Sequence, residues 1–141
     1  MSDLYDDDFC AWANEQAALL RAGRLPDADI ANIAEEIESM GRSERNQLTN
    51  RLAVLLAHLL KWQFQPGLRG NSWRLTIRVQ RRRAGRILDQ NPSLCAALPA
   101  ILVEAYGDAM LIAERETGLP EDTFPADCPW TFDQAMRDEL P

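Results

Sequence analysis

The chain has 141 residues, 46% of them hydrophobic and 26% charged, with a net charge of −7; that is enough for one buried core and too little for two comfortable ones. The charge is unevenly spread: residues 1–41 are net −8, residues 42–86 are net +10 with Glu44 as their only carboxylate, and residues 87–141 are net −9. Fourteen of the fifteen basic residues are arginine, whose planar fork pairs bidentately with carboxylate or phosphate.

In chain order the apolar spacing predicts helix after helix and no strand. Asp6 is placed to cap a first helix through Phe9, Trp12, Ala13, Ala17 and Leu20, with Gly23 at its end. Leu25-Pro26-Asp27 reads as a turn, and Asp29 as the cap of the next helix. Its apolar residues Ile33 and Ile37 fall on the same azimuth as Leu48, Leu52, Leu55 and Leu59 beyond Gly41, within an arc of roughly 100°. One long helix over about 29–62 is therefore expected, although Gly41 costs about 1 kcal/mol in a helix interior and Ser43 offers an alternative cap. On that helix Ile37, Glu44, Arg51 and His58 recur every seven residues, which sets Glu44, Arg51 and His58 as a polar seam in an apolar stripe; Glu44 and Arg51 are expected at least half-buried, each paired to an opposite charge or hydrogen-bonded to another helix.

Gln65-Pro66-Gly67 reads as a loop. Ser72 is the expected cap of a helix carrying Trp73, Ile77, Ala84, Ile87 and Leu88 on one side and Arg74, Arg78, Arg81, Arg82, Arg83 and Arg86 on the others. Asn91-Pro92 begins the next helix, with Pro99 as a kink or second start, and it runs through Leu102, Ala105, Ala109 and Ile112 to Gly118. Residues 120–129 read as a loop, and Thr131-Phe132-Asp133-Gln134 fits a capping box opening a short terminal helix. The fold class is all-α: a single-domain bundle of four to six helices spanning 1–141.

Catalytic and ligand motifs are sparse. A di-metal helical bundle needs two Glu-x-x-His pairs, and the single histidine, His58, has Leu55 three residues before it. A metal or enzyme site centred on His58 with Glu44 ranks last among the readings; no metal, cofactor or catalytic residue is expected. No nucleophile elbow, phosphate loop or dinucleotide pattern occurs. Cys10, Cys95 and Cys128 lie far apart, never as C-x-x-C, and read as reduced, partly buried thiols rather than a disulfide framework. The acidic opening MSDLYDDD lacks a signal peptide's basic and apolar regions, and no apolar run approaches the roughly 20 residues of a bilayer span. A soluble cytoplasmic chain with no membrane partner is expected.

The arginine stretch 69–86, with Trp62, Phe64 and Trp73 as stacking groups, is the strongest functional candidate. Internal pairing competes with it. If 87–141 folds back alongside, Glu104, Asp108, Glu114 and Glu116 come beside the arginines, and at least three of the six, Arg74, Arg78, Arg81, Arg82, Arg83 and Arg86, are expected within salt-bridge distance of carboxylates from 1–41 or 87–141. The leading expectation is a non-enzymatic module that binds a protein partner or itself, with nucleic-acid binding through the Arg-rich helix as the alternative.

The segments "DFCAWANEQAALLRAGR", "NIAEEIESMGRSER", "HLLKWQFQP", "NPSL", "ETGL" and "FPADCPWT", with the Ser-Trp and Gln-Arg of "NSWRLTIRVQR", together resemble the bacterial family called domain of unknown function 29. The resemblance runs in order from Tyr5 to the end. It implies an almost entirely helical protein of this size and supplies no activity, cofactor or catalytic residue. At Cys10 the chain departs from the aromatic usual there, so that thiol inherits no role.

Overall fold

The computed structural model describes residues 3–137 and 139–140, so the first two residues of the acidic opening lie outside it. Six α-helices and no strand occur among the described residues: α1 Leu4–Asp7, α2 Phe9–Arg21, α3 Ile30–Phe64, α4 Asn71–Gln90, α5 Leu98–Thr117 and α6 Phe132–Met136. Short 3-10 turns join them. The chain divides into two compact units, 1–43 and 44–141, and the 35-residue α3 belongs to both.

The first unit begins with a departure from the expected cap. Asp6 lies inside α1, and Asp8 caps α2 instead, its carboxylate accepting from Ala11 N at 3.0 Å. Gly23 follows α2 at φ 72°, a left-handed conformation that a side chain would strain. Asp29 ties the unit together. Its carboxylate accepts from Trp12 Nε1 at 3.0 Å and Asn32 Nδ2 at 2.8 Å, while its amide donates to the Gln16 side chain at 2.7 Å. The Asn32 and Trp12 hydrogen bonds hold the Asp29 carboxyl below its ordinary range. Tyr5 donates to Glu36 and packs edge-on against Phe9 and Trp12. The same Glu36 contact is the main reason that the Tyr5 hydroxyl is pushed up to about 12.

α3 is continuous through Gly41. The apolar phase on either side of the glycine makes continuity consistent, and Gly41 has no neighbour within 4 Å of where a side chain would begin. The expected burial does not extend equally far. Ile37 is 59% exposed and Met40 also faces solvent, whereas burial begins at Leu48 and continues through Leu52, Leu55, Leu56, Leu59 and Leu60. The leucines from Leu48 onward belong to the core of the second unit.

In the second unit, Ile77, Ala84, Ile87 and Leu88 from α4, and Ile101, Ala105, Tyr106, Ala109, Met110 and Ala113 from α5, join those leucines in one core, with Phe124 and Ala135. α4 starts one residue before the expected Ser72 cap, at Asn71 behind an extended Gly70, with no side-chain cap. Asn91 closes α4 rather than opening the next helix, its Nδ2 donating to Ile87 O; Pro92–Ala97 is a 3-10 turn, and Pro99 sits in the first turn of α5. Gly118 ends α5 at φ 75°. Thr131 and Gln134 form both bonds of the capping box on α6.

Because Gly41 is a helix-interior glycine facing open space, Gly41→Ala should raise stability by up to about 1 kcal/mol. A urea titration followed by circular dichroism checks this; a decrease would show that the backbone at 41 is under a constraint that glycine alone meets.

Candidate functional site

α4 has two faces of different chemistry. Ile77, Gln80, Arg81, Ala84, Ile87 and Leu88 are buried at helical spacing. Away from them, Arg74, Arg78, Arg82 and Arg86 recur every fourth residue, giving an exposed ridge with a rise of about 6 Å per step. Arg83 is exposed beside it, and Leu75 and Val79 are exposed among the arginines.

Arg81 does not belong to that ridge. It is 7% exposed, and its guanidinium donates to the carbonyls of Ala135 at 2.8 Å and Glu139 at 3.3 Å, pinning the C-terminal segment to α4. Sequence spacing alone misassigned it, because its position between Gln80 and Ala84 faces inward only once α6 and the residues after it lie against α4.

The expected internal neutralisation is also not what the structure contains. None of Arg74, Arg78, Arg82, Arg83 and Arg86 lies within 4.0 Å of a described carboxylate of 44–141. α4 and α5 share a core through their apolar faces, so Glu104 and Asp108 are exposed on α5's own outer side and do not come alongside the ridge. Glu116 pairs with the buried Lys61 instead, at 3.4 Å.

The three aromatic groups read as stacking platforms are committed to packing. Arg69 donates to the Trp62 carbonyl at 2.6 Å and lies 5.1 Å over its ring, with Arg74 at 5.8 Å. Lys61 lies 4.8 Å over Trp73, and Phe64 meets Phe124 edge-on at 5.4 Å. Each cation is held to its ring face by the ring quadrupole.

Two members of the polar seam meet the arginine helix. Glu44, Gln47 and Arg51 of α3 face Arg83, Arg86, Ile87 and Gln90 of α4 across a cleft of about 270 Å³. Glu44, half-buried, accepts from Asn91 Nδ2 at 3.2 Å. Arg51 is half-buried in the same cleft, yet the expected pairing is not found: no ion pair or hydrogen bond of its side chain occurs among the described residues. The cleft thus sets three guanidinium groups around one carboxylate.

His58 stands apart from that cleft. Its Nδ1 is 2.9 Å from the Val54 carbonyl, so Nδ1 carries the proton, and burial lowers its pKa below the ordinary value. Among the described residues no group of three or more His, Cys, Asp or Glu side chains is arranged to hold a metal. Cys10 and Cys95 are exposed rather than partly buried; Cys128 is half-buried, and burial pushes its thiol up.

These features define an all-α protein with a basic helix face. The chain belongs to the family described as Domain of unknown function DUF29, which matches residues 4–140. No curated protein and no solved structure matches it.

Two outcomes follow from this geometry. Arg81→Ala leaves the Ala135 and Glu139 carbonyls without their donor and should cost on the order of 2–3 kcal/mol, read as a lower urea midpoint; an unchanged midpoint would mean that the C-terminal segment is held by other contacts. For His58, a pKa lowered on folding means that the unfolded chain binds the proton more readily. Its contribution is therefore full above the unfolded value near 6.5 and declines as pH falls below it, by at most about 1.4 kcal/mol per pH unit. His58→Gln should flatten that part of a stability-versus-pH profile, and a profile with the same slope would remove His58 as its source.

Proposed function

We propose that this protein is a non-enzymatic interaction module whose α4 ridge docks an acidic protein surface. The observation that carries the reading is the set of exposed arginines Arg74, Arg78, Arg82 and Arg86, none in an ion pair with a described carboxylate of 44–141, with Leu75 and Val79 exposed between them. Like charges four residues apart disfavour a helix by about 0.2–0.5 kcal/mol per pair. The ridge contains three such pairs, and an anionic partner relieves all of them at once. Leu75 and Val79 add apolar contact of the kind found at the centre of protein interfaces.

A second reading, docking on a nucleic-acid backbone, is favoured by the same four exposed guanidiniums together with that of Arg83. Two features weigh against it. Trp62, Phe64 and Trp73 are engaged in packing, and the ridge presents aliphatic side chains where a single-strand binder presents stacking rings.

Titrations of the full chain with polyglutamate, duplex DNA and single-stranded RNA, each at about 50 mM and about 300 mM salt, separate the readings. The expected result is polyglutamate binding that Arg78→Glu/Arg82→Glu abolishes, with weaker nucleic-acid binding. Tighter binding to DNA or RNA, falling steeply with salt, transfers the function to the second reading. Absence of binding to all three overturns both.

A further inference from the structure

α5 is an apolar helix that the fold leaves largely uncovered. The helical stretch Pro92–Thr117 is long and apolar enough by composition to cross a bilayer, contrary to the expectation from the sequence, yet only 28% of its apolar window is buried. Core helices of that composition are normally enclosed. Here Val103 is 73% and Leu111 61% exposed. Between them Gly107, with nothing within 4 Å of its missing side chain, opens the helix surface. Beside this strip runs an apolar groove of about 500 Å³, with Leu102, Tyr106, Met110 and Trp130 among its walls. Tyr106 is fixed there by donating to the Pro125 carbonyl, and burial pushes its hydroxyl up to about 12. The rim is acidic: Glu104 and Asp108 are exposed on α5, and Asp127 lines the groove.

Residues 44–141 as a unit are charge-neutral and strongly divided, with twelve basic and twelve acidic side chains. Ten of the basic residues fall within 45–86 and ten of the acidic residues within 104–139. On the surface, the exposed arginines of α4 flank the small apolar pair Leu75 and Val79, and the exposed Glu104 and Asp108 of α5 flank the larger apolar strip from Val103 to Leu111. Leu75 and Val79 are four residues apart on α4, and Val103, Gly107 and Leu111 are four apart on α5, so both apolar rows advance one turn, about 6 Å, at a time.

We propose that the α5 groove is a docking site for the α4 ridge of a second copy of this chain. The inference rests on the reading of α4 as a protein-docking face and names the partner. Leu75 and Val79 enter over Gly107, where the absent side chain lets the helices approach. Arg74, Arg78, Arg82 and Arg86 then lie along the acidic rim. A lipid surface is the poorer occupant, because Glu104 and Asp108 on the exposed side are repelled by anionic headgroups. The contact joins two different patches, so it is heterologous: each chain offers one ridge and one groove, and association continues into rings or open chains.

Sedimentation velocity of the full chain at about 50 mM and about 500 mM salt reads this directly. Sedimentation coefficients should rise with protein concentration at low salt and return to the monomer value at high salt. Arg78→Glu/Arg82→Glu removes the ridge, and Gly107→Lys fills the groove with a like charge; each variant alone should remain monomeric. An equal mixture should form a heterodimer through the one ridge and one groove left intact, and melting curves establish that both variants are folded. A wild-type monomer at every concentration overturns the proposal, as do a Gly107→Lys variant that still associates and a mixture that does not. Cosedimentation of the monomer with phosphatidylglycerol vesicles would assign the strip to a membrane and also overturn it. If self-association fails while polyglutamate still binds the ridge, only the identity of the partner is wrong; if both fail, the ridge reading falls with it.

Discussion

The second unit depends on the burial of one helical stripe. Leu48, Leu52, Leu55, Leu56, Leu59 and Leu60 on α3 are essentially inaccessible to water. At about 1.5–3 kcal/mol for each fully buried leucine, they contribute on the order of 10 kcal/mol before chain entropy is counted. Leucines at 55, 56, 59 and 60 widen the stripe beyond a two-position seam, so cover is needed from more than one direction. α4 and α5 supply it with Ile77, Ala84, Ile101, Ala105 and Ala109.

That constraint also organises the charge. Once α4 turns Ile77, Ala84 and Ile87 inward, the four-residue spacing of Arg74, Arg78, Arg82 and Arg86 leaves them on the outer side. The same logic on α5 directs Glu104 and Asp108 outward. Two helices that meet through apolar faces cannot also meet through their charged ones. Residues of opposite sign that look complementary along the chain are therefore kept apart, and their electrostatic attraction becomes available to something outside the fold. Arg81 and Lys61 are the exceptions: each is buried and bonded to backbone carbonyls or to Glu116, as a buried cation must be.

Several elements were legible because their signals are local. Asp29 and Thr131 act at helix starts through side-chain bonds to amides three residues on, and Gly118 ends α5 because its φ of 75° suits glycine. The misplaced starts have a common physical cause. Asp6, Asp8, Ser72 and Asn71 are all competent or tolerated near a helix end, and the choice among them follows from how the preceding turn enters the helix. At Asn91 the same side chain serves α4 and Glu44 together, a role requiring α3 to be adjacent.

The seam and the arginine face were legible as residues but not as partners. The seven-residue repeat put Glu44 and Arg51 on one side of α3, and they do line one cleft; it could not reveal that Arg83 and Arg86 would complete it. By itself the sequence determined the all-α class, the long α3 and the concentration of arginine in α4, since helical period, caps and composition act within a few residues along the chain. Only the tertiary structure decided that Arg81 is interior, that the ridge is unpaired within its unit, and that α5 keeps an uncovered apolar strip. Those outcomes depend on which faces the shared core consumes, and distance along the chain does not encode that geometry.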